Sequence, residues 1–165
     1  MIVLGIDPGT ATTGYGVLED IGGKARLIDY GVVRTSSGTN QAIRLLEIHN
    51  RIEQVIQCYS PSVLAVEELF FSRNAKTAIT VGQARGVVLM TAAERGLVIY
   101  EYTPLEVKQA VVGFGNADKR QVQAMVKAIL QMKEIPKPDD AADALAVAIC
   151  HIHAARLAKV RGTQL

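Results

Sequence analysis

Two short apolar runs, each closing on a carboxylate, constrain this chain more than any other feature. Ile2-Val3-Leu4-Gly5-Ile6 ends on Asp7 before a Pro8-Gly9 turn, and Val63-Leu64-Ala65-Val66 ends on Glu67 and Glu68. Neither run alternates with polar residues, which is the pattern of strands covered on both faces. An ionised carboxylate at the end of such a strand is expensive unless it is paired or binds a metal. In open α/β sheets, sites form beyond the carboxyl ends of the strands. If the two strands are parallel neighbours, Asp7 and Glu67 face one another. Taken singly, Asp7 also suits an Asx-type turn before Pro8-Gly9, and Glu67 a solvated strand end.

The rest of the chain supplies a frame for such a sheet. Residues 14–19 and 26–34 read as strands joined by a Gly22-Gly23 hairpin, so the chain opens with three meandering strands. Ile43, Leu46, Ile48, Ile52, Val55 and Ile56 recur at helical spacing, with Arg44, Glu47, Arg51 and Glu53 turned to water, predicting a helix over 40–59 stopped by Pro61. A second helix is expected over 74–95 with Gly96 as its stop, followed by a strand over 98–102. Thr103-Pro104-Leu105-Glu106 is a capping box that opens a third helix. After the glycine-punctuated loop 113–116, residues 118–132 are helical, and Pro136 and Pro138 precede a last helix from 139 to about 159. The expectation is one α/β domain over 1–165, a mixed sheet with helices on both faces.

Composition bounds the function only loosely. With 165 residues, 49% of them hydrophobic, and no Trp, the core must come mainly from aliphatic residues. A net charge of +2 and a pI near 8.6 permit nucleic-acid binding without arguing for it. Cys58 and Cys150 have no metal-ligand spacing and read as small buried hydrophobes with free thiols. With no signal peptide and no apolar run of about 20 residues, the chain reads as cytoplasmic, with no membrane partner.

The third acidic element is Asp139-Asp140-Ala141-Ala142-Asp143. Acids in a first helical turn favour the positive end of the helix dipole, which accounts for Asp139 and Asp140. It does not account for Asp143, which enters the apolar stretch 144–149. Either Asp139 or Asp140 shares a helix face with Asp143, and the small alanines between would let this helix lie close against the sheet. Acids without His or Cys partners suit a hard cation such as Mg²⁺. Two such ions roughly 4 Å apart would clamp the attacking and leaving oxygens of a phosphodiester. His151 lies about 16 Å along the helix from Asp140, too far to be a ligand; His49 and His153 read as ordinary helix-surface residues.

Taken in order, GIDPGT, AVEELFF, VGQARGV, EVKQAVVGFGNADKRQVQ and DAADALAVAI resemble the RuvC family over nearly the whole chain. That resemblance implies an RNase H-like fold with a five-stranded mixed sheet, and a homodimer that nicks four-way (Holliday) DNA junctions symmetrically in recombination and repair. It also implies Mg²⁺ (with Mn²⁺ able to substitute) and a RuvA–RuvB branch-migration complex as partner. Carried over residue by residue, it makes Asp7, Glu67, Asp140 and Asp143 the catalytic, metal-holding acids. Lys108 and Lys119 match two basic positions of the family. Lys119 opens a helix beside Asp118, where a helix N-terminus and an ammonium make a phosphate seat and can stabilise charge developing in the transition state.

Phe70 and Phe71 follow Glu67, and either could stack on an unpaired base; the resemblance points to Phe70. Arg73, Lys76 and Arg85 are candidate phosphate contacts. Independently, the helix over 74–95 is apolar or small almost all round (Ala75, Ala78, Ile79, Val81, Gly82, Gly86, Val87, Leu89), as expected of a helix buried on two sides, against the sheet and against a second subunit. A phosphotransferase of the actin and sugar-kinase type would need a second lobe and a second Gly-rich phosphate loop. The smaller nuclease-like family that shares the Asp-Pro-Gly turn, acting on RNA, leaves VKQAVVGFGNADK without a purpose. A junction-binding protein without catalysis would have no need of acids at all four positions.

Overall fold

The computed structural model describes residues 1–68 and 75–162, without the side chains of 75–77. Five strands form one mixed sheet: β1 (Ile2–Asp7), β2 (Thr12–Ile21), β3 (Lys24–Arg34), β4 (Val63–Glu67) and β5 (Val98–Tyr102), in the order β3-β2-β1-β4-β5. β1, β2 and β3 pair antiparallel, while β4 runs parallel to β1, and β5 parallel to β4. The Gly22-Gly23 hairpin holds: both glycines have positive φ, 63° and 84°, which a two-residue turn of this kind requires.

Among the described residues, five helices cover the sheet: α1 (Gln41–Tyr59), α2 (Ala75–Glu94), α3 (Pro104–Val112), α4 (Lys119–Ile129) and α5 (Asp139–Arg161). Because β1 and β4 are apolar at every central position, successive residues feed opposite layers. Val3, Val63 and Ala65 join α3, α4 and α5 on one face. Leu4, Ile6, Leu64 and Val66 join α1 and α2 on the other. The expected five-stranded mixed sheet with helices on both faces is therefore the architecture found.

The local signals mark most element ends. Asn40 caps α1 through Ala42 N–H, and Thr103 and Glu106 close the expected capping box on α3. A second capping box, Asp118 with Gln121, starts α4, so Asp118 is the cap and not the first helical residue. That helix ends at Ile129 rather than 132, where Gln131 takes a positive φ of 52°.

Three expectations about burial are corrected. The buried stripe of α1 is Ile48, Ile52 and Ile56, while Ile43 and Leu46 are exposed, because only the former set faces β1 and β4. Cys150 is buried as expected, but Cys58 is exposed; both are free thiols. Finally, α5 is long and apolar enough by composition to cross a membrane, contrary to the expected absence of such a run. Its most apolar window is 67% buried against the sheet and its neighbouring helices, which is the environment of a core helix.

Candidate active site

The register of β1 and β4 places the first two acids side by side. Ile6 pairs with Val66 in a parallel ladder, so Asp7 and Glu67 are the next residues on adjacent strands and leave the sheet together. Each is half-buried behind four buried residues.

The other two acids arrive because α5 crosses β1 and β2 at unusually short range. A Cβ added at Gly14 would lie 1.9 Å from the backbone oxygen of Asp140, and one at Gly5 would lie 2.2 Å from that of Ala144. Only glycine fits at either position. The alanines of α5 were expected to permit close approach; the matching glycines on the strands are the other half of that contact, and Gly14 sets Asp140 directly against the sheet. Asp7 is paired with Gly14 in the β1–β2 ladder, so the first turn of α5 is delivered next to Asp7.

The electrostatics follow from this convergence. Burial pushes the Asp7 carboxyl up to about 7, and the negative charges of Asp143, Glu67 and Asp140 add to the rise, with Lys119 opposing them. Glu67 is raised by burial and then by Asp143, against Lys108 and Lys119. Asp143 is raised by burial in spite of its hydrogen bond to Lys119. Four carboxylates and two lysines therefore share one neighbourhood, and the negative charge there is only partly compensated. Among the described residues, no three of these acids close on a common point at ligating distance.

Lys119, the first residue of α4, bridges two of the acids on α5: its Nζ lies 3.0 Å from Asp143 and 3.3 Å from Asp139. Burial acts to lower its pKa, but the hydrogen bonds and charges of Asp143 and Asp139 outweigh that and raise it. Asp139 also accepts a hydrogen bond from Gln123 Nε2 at 2.9 Å, and Gln123 followed by Lys119 holds its carboxyl below the usual range. The doubled acids thus part company. Asp140 acts on Asp7, whereas Asp139 is committed to Gln123 and Lys119 at the surface.

Other expected site residues fall in different places. Phe70, Phe71 and Arg73 lie outside the described residues, as does the side chain of Lys76. Lys108, on α3, is half-buried and acts on Glu67. Arg85 was expected to reach phosphate, but its side chain is only 15% exposed and turns inward. Its Nε donates to the backbone oxygen of Glu67 at 3.3 Å, and its Nη2 pairs with Glu101 on β5.

Of the histidines, His151 is buried, while His49 and His153, expected at the helix surface, are half-buried and hydrogen-bonded. His151 is 1% exposed, bonds the Tyr102 hydroxyl at 2.8 Å, and is pushed down to about 4 by burial. His49 meets Thr91 Oγ1, and His153 the backbone oxygen of Ala110, each at 2.9 Å. Sequence reasoning also missed Thr10, three residues beyond Asp7 and 6% exposed. Its hydroxyl donates to Thr80 O at 2.6 Å, and its own carbonyl accepts from Thr35 Oγ1 at 2.6 Å. A threonine directly after the Pro8-Gly9 turn was the available signal.

Comparison with known proteins bears on the whole chain. The family described as crossover junction endodeoxyribonuclease RuvC matches residues 3–151. The RuvC protein of Desulfitobacterium hafniense is 56% identical over 165 residues, spanning all of both chains. That of Caldicellulosiruptor saccharolyticus is 57% identical over 153 residues, 92% of each chain. Among solved structures, Thermus thermophilus RuvC in complex with a Holliday junction substrate superposes with a TM-score of 0.90 at 44% identity, covering 95% of this chain and 96% of that one. Identity above one half from end to end, on a sheet and helix order that superposes as a whole, establishes that this chain belongs to the RuvC family of crossover junction endodeoxyribonucleases.

Proposed function

We propose that this chain, as one nuclease domain over residues 1–165, resolves four-way DNA junctions by paired symmetric nicks through metal-assisted phosphodiester hydrolysis. The observation that carries this reading is the meeting of Asp7, Glu67, Asp140 and Asp143 beside Lys119 at one end of the sheet, with Asp7 pushed up to about 7 by burial and by the other three. An all-oxygen donor set with uncompensated negative charge fits a hard divalent cation. Mg²⁺, with Mn²⁺ able to substitute, would be held by these four acids and, when bound, would polarise the phosphate and lower the pKa of attacking water.

The chain's own residues divide the remaining work. Asp7 and Glu67, fixed at strand ends, define one side of the site; Asp140 and Asp143, one helical turn apart, define the other. Lys119, 3.0 Å from Asp143 at the N-terminus of α4, would meet negative charge on the phosphate. Lys108 lies close enough to act on Glu67 and supplies a second positive charge for the backbone. Phe70 is assigned to stacking at the junction centre, and Arg73 and Lys76 to phosphate contact.

The exposed face of α2 supports a homodimer. Ile79, Gln83, Gly86 and Met90 are all exposed and recur along one side of the helix, while Ala84, Val88 and Ala92 face the core. A two-fold dimer presents two equivalent sites to a substrate with two equivalent strands. Thermus thermophilus RuvC is itself bound to a Holliday junction substrate, and a four-way junction is the substrate assigned to this chain; recombination and repair in the cytoplasm, with RuvA and RuvB as partners, is the setting that family membership implies.

The test is cleavage of a synthetic four-way junction by purified protein with Mg²⁺ or with EDTA, and linear duplex of the same sequence as control. Symmetric nicks near the crossover, dependent on metal and on the branch, are the expected result. Binding without nicking in every divalent cation tried would overturn the nuclease reading.

A further inference from the structure

We infer that α2 braces the two acid-bearing strands against each other, with Arg85 and Thr10 as positioning residues for Glu67 and Asp7. The inference rests on the nuclease reading above and deepens it. Two independent contacts motivate it, one to each strand end. Arg85 Nε donates to the backbone oxygen of Glu67 at 3.3 Å, while its Nη2 is paired with Glu101 on β5. Thr10 Oγ1, on the turn leaving Asp7, donates to the backbone oxygen of Thr80 at 2.6 Å. Thr80 and Arg85 are five residues apart on the same helix.

The physical need for a brace is visible in the site. Asp7 and Glu67 stand on adjacent strands and repel one another, and Asp143 repels both. Strand ends under such repulsion splay unless their backbones are held. A guanidinium suits this task because its rigid fork serves two acceptors in different directions, here a carbonyl on β4 and a carboxylate on β5. A lysine would present a single nitrogen in place of the separate Nε and Nη2 that reach the two acceptors here. Thr10 is held from a second direction as well, since its carbonyl accepts from Thr35 Oγ1, which in turn accepts from Arg44 Nε at 2.8 Å.

The same helix carries the exposed row Ile79, Gln83, Gly86 and Met90. A subunit seated on that face would therefore fix the helix that spaces the acids. Arg85 then belongs to the interior of each protomer and not to the DNA surface.

The experiment compares Arg85→Lys, Thr10→Val and Thr10→Ser with wild type, each as the full chain. Three quantities are read: single-turnover cleavage of a preformed junction, junction binding in EDTA, and direct Mn²⁺ binding to the protein without DNA. Outer-shell partners of metal sites typically contribute on the order of 10- to 100-fold in affinity or activity. Losses of about that size are expected in cleavage and Mn²⁺ binding for Arg85→Lys and Thr10→Val, with junction binding unchanged. Thr10→Ser, which keeps the hydroxyl, is expected to match wild type. Junction binding that falls in step with cleavage in Arg85→Lys would make Arg85 a phosphate contact and overturn the proposal. Unchanged cleavage and Mn²⁺ binding in Thr10→Val would overturn it as well, and this pair decides even where Arg85→Lys fails to fold. A wild-type protein that binds Mn²⁺ but cuts no junction would remove the nuclease reading, leaving the Mn²⁺ comparison to judge the brace.

Discussion

Two stretches of α5 bury titratable groups, and they solve the problem in opposite ways. At its start, Asp140 and Asp143 are driven toward Asp7 and Glu67, and burial plus like charge lift the Asp7 carboxyl to about 7. Two to three turns later, His151 is more deeply buried, yet it stays neutral, bonds the Tyr102 hydroxyl and lies 4.6 Å from the Tyr100 ring. The second arrangement is what stability favours: a polar group enters the core as its uncharged form with a partner. The first holds charge in tension, and only an opposite charge relieves it. Lys119 relieves part; the remainder is what a divalent cation would neutralise. One helix thus carries a partnered pair and a cluster of acids under repulsion, distinguishable by whether burial is matched by a partner.

The largest effect that sharpens this contrast comes from removing charge at the acid end. Asp7→Asn, Glu67→Gln or Asp143→Asn is expected to abolish junction cleavage while leaving binding, and Asp7→Asn should also raise the melting temperature above pH 7. A rise from 3.8 to about 7 corresponds to at most about 4 kcal/mol of strain on the folded state there. Cleavage at wild-type rate by any of the three would end the metal-site assignment. An Asp7→Asn protein no more stable than wild type at pH 8 would show that the repulsion is not stored.

Next in size is Gly14→Ala. Its Cβ would sit 1.9 Å from the Asp140 backbone oxygen, so α5 must move, at a cost of about 1–3 kcal/mol or more. Displacement of Asp140 should lower cleavage further than the stability loss explains. Gly38→Ala is the control, since its added Cβ meets nothing nearer than Ser36 Oγ at 3.8 Å. Equal cleavage by Gly14→Ala and wild type would mean that the close crossing of α5 does not set the site.

How much of this was legible beforehand divides along the same line. Strand ends, caps and the hairpin are local patterns, so Ile2–Asp7, Val98–Tyr102, the Thr103 box and Gly22-Gly23 were readable directly. Asp7, Glu67 and Asp143 could be proposed because each breaks a local rule, a charge at the end of or within an apolar run; Asp140 rested on the family resemblance. Partnerships between distant residues were not readable. Nothing near Arg85 in sequence says that its guanidinium meets Glu67 and Glu101, and nothing near His151 announces Tyr102, which is 49 residues away. Ile43 and Leu46 fit the period of α1 as well as Ile48 does; only the direction in which the sheet lies separates them. Spacing left Asp139 and Asp140 equivalent, and only the family resemblance favoured Asp140; that Gln123 draws Asp139 away through a hydrogen bond was not readable.

A smaller effect tests the partnered pair. Tyr102→Phe leaves His151 Nδ1 buried without its partner, at an expected cost of about 1–3 kcal/mol. Cleavage at 25 °C should be unaffected, measured alongside thermal unfolding. A loss of cleavage without a loss of stability would bring the pair into the active site and dissolve the distinction between the two stretches of α5.

The smallest effect expected in the wild-type protein is its pH dependence, because the two regions oppose one another. His151 has a folded pKa of about 4, below its ordinary 6.5, so the unfolded chain binds the proton first and stability is lost as pH falls from 6.5 toward 4. Asp7 has a folded pKa of about 7, above its ordinary 3.8, so the folded chain binds the proton first and stability is gained as pH falls from 7 toward 3.8. Glu67 and Asp143, both raised, act with Asp7. Between pH 6.5 and 4 His151 offsets part of what the raised acids contribute, so the wild-type melting temperature should rise less on acidification than that of a chain without His151. His151→Gln, which keeps a polar group for Tyr102 but does not titrate, should become more stable on acidification. Asp7→Asn should move the other way. If both variants follow the wild-type curve, neither buried group titrates as its surroundings require, and the opposition between the two stretches of α5 is not one of charge.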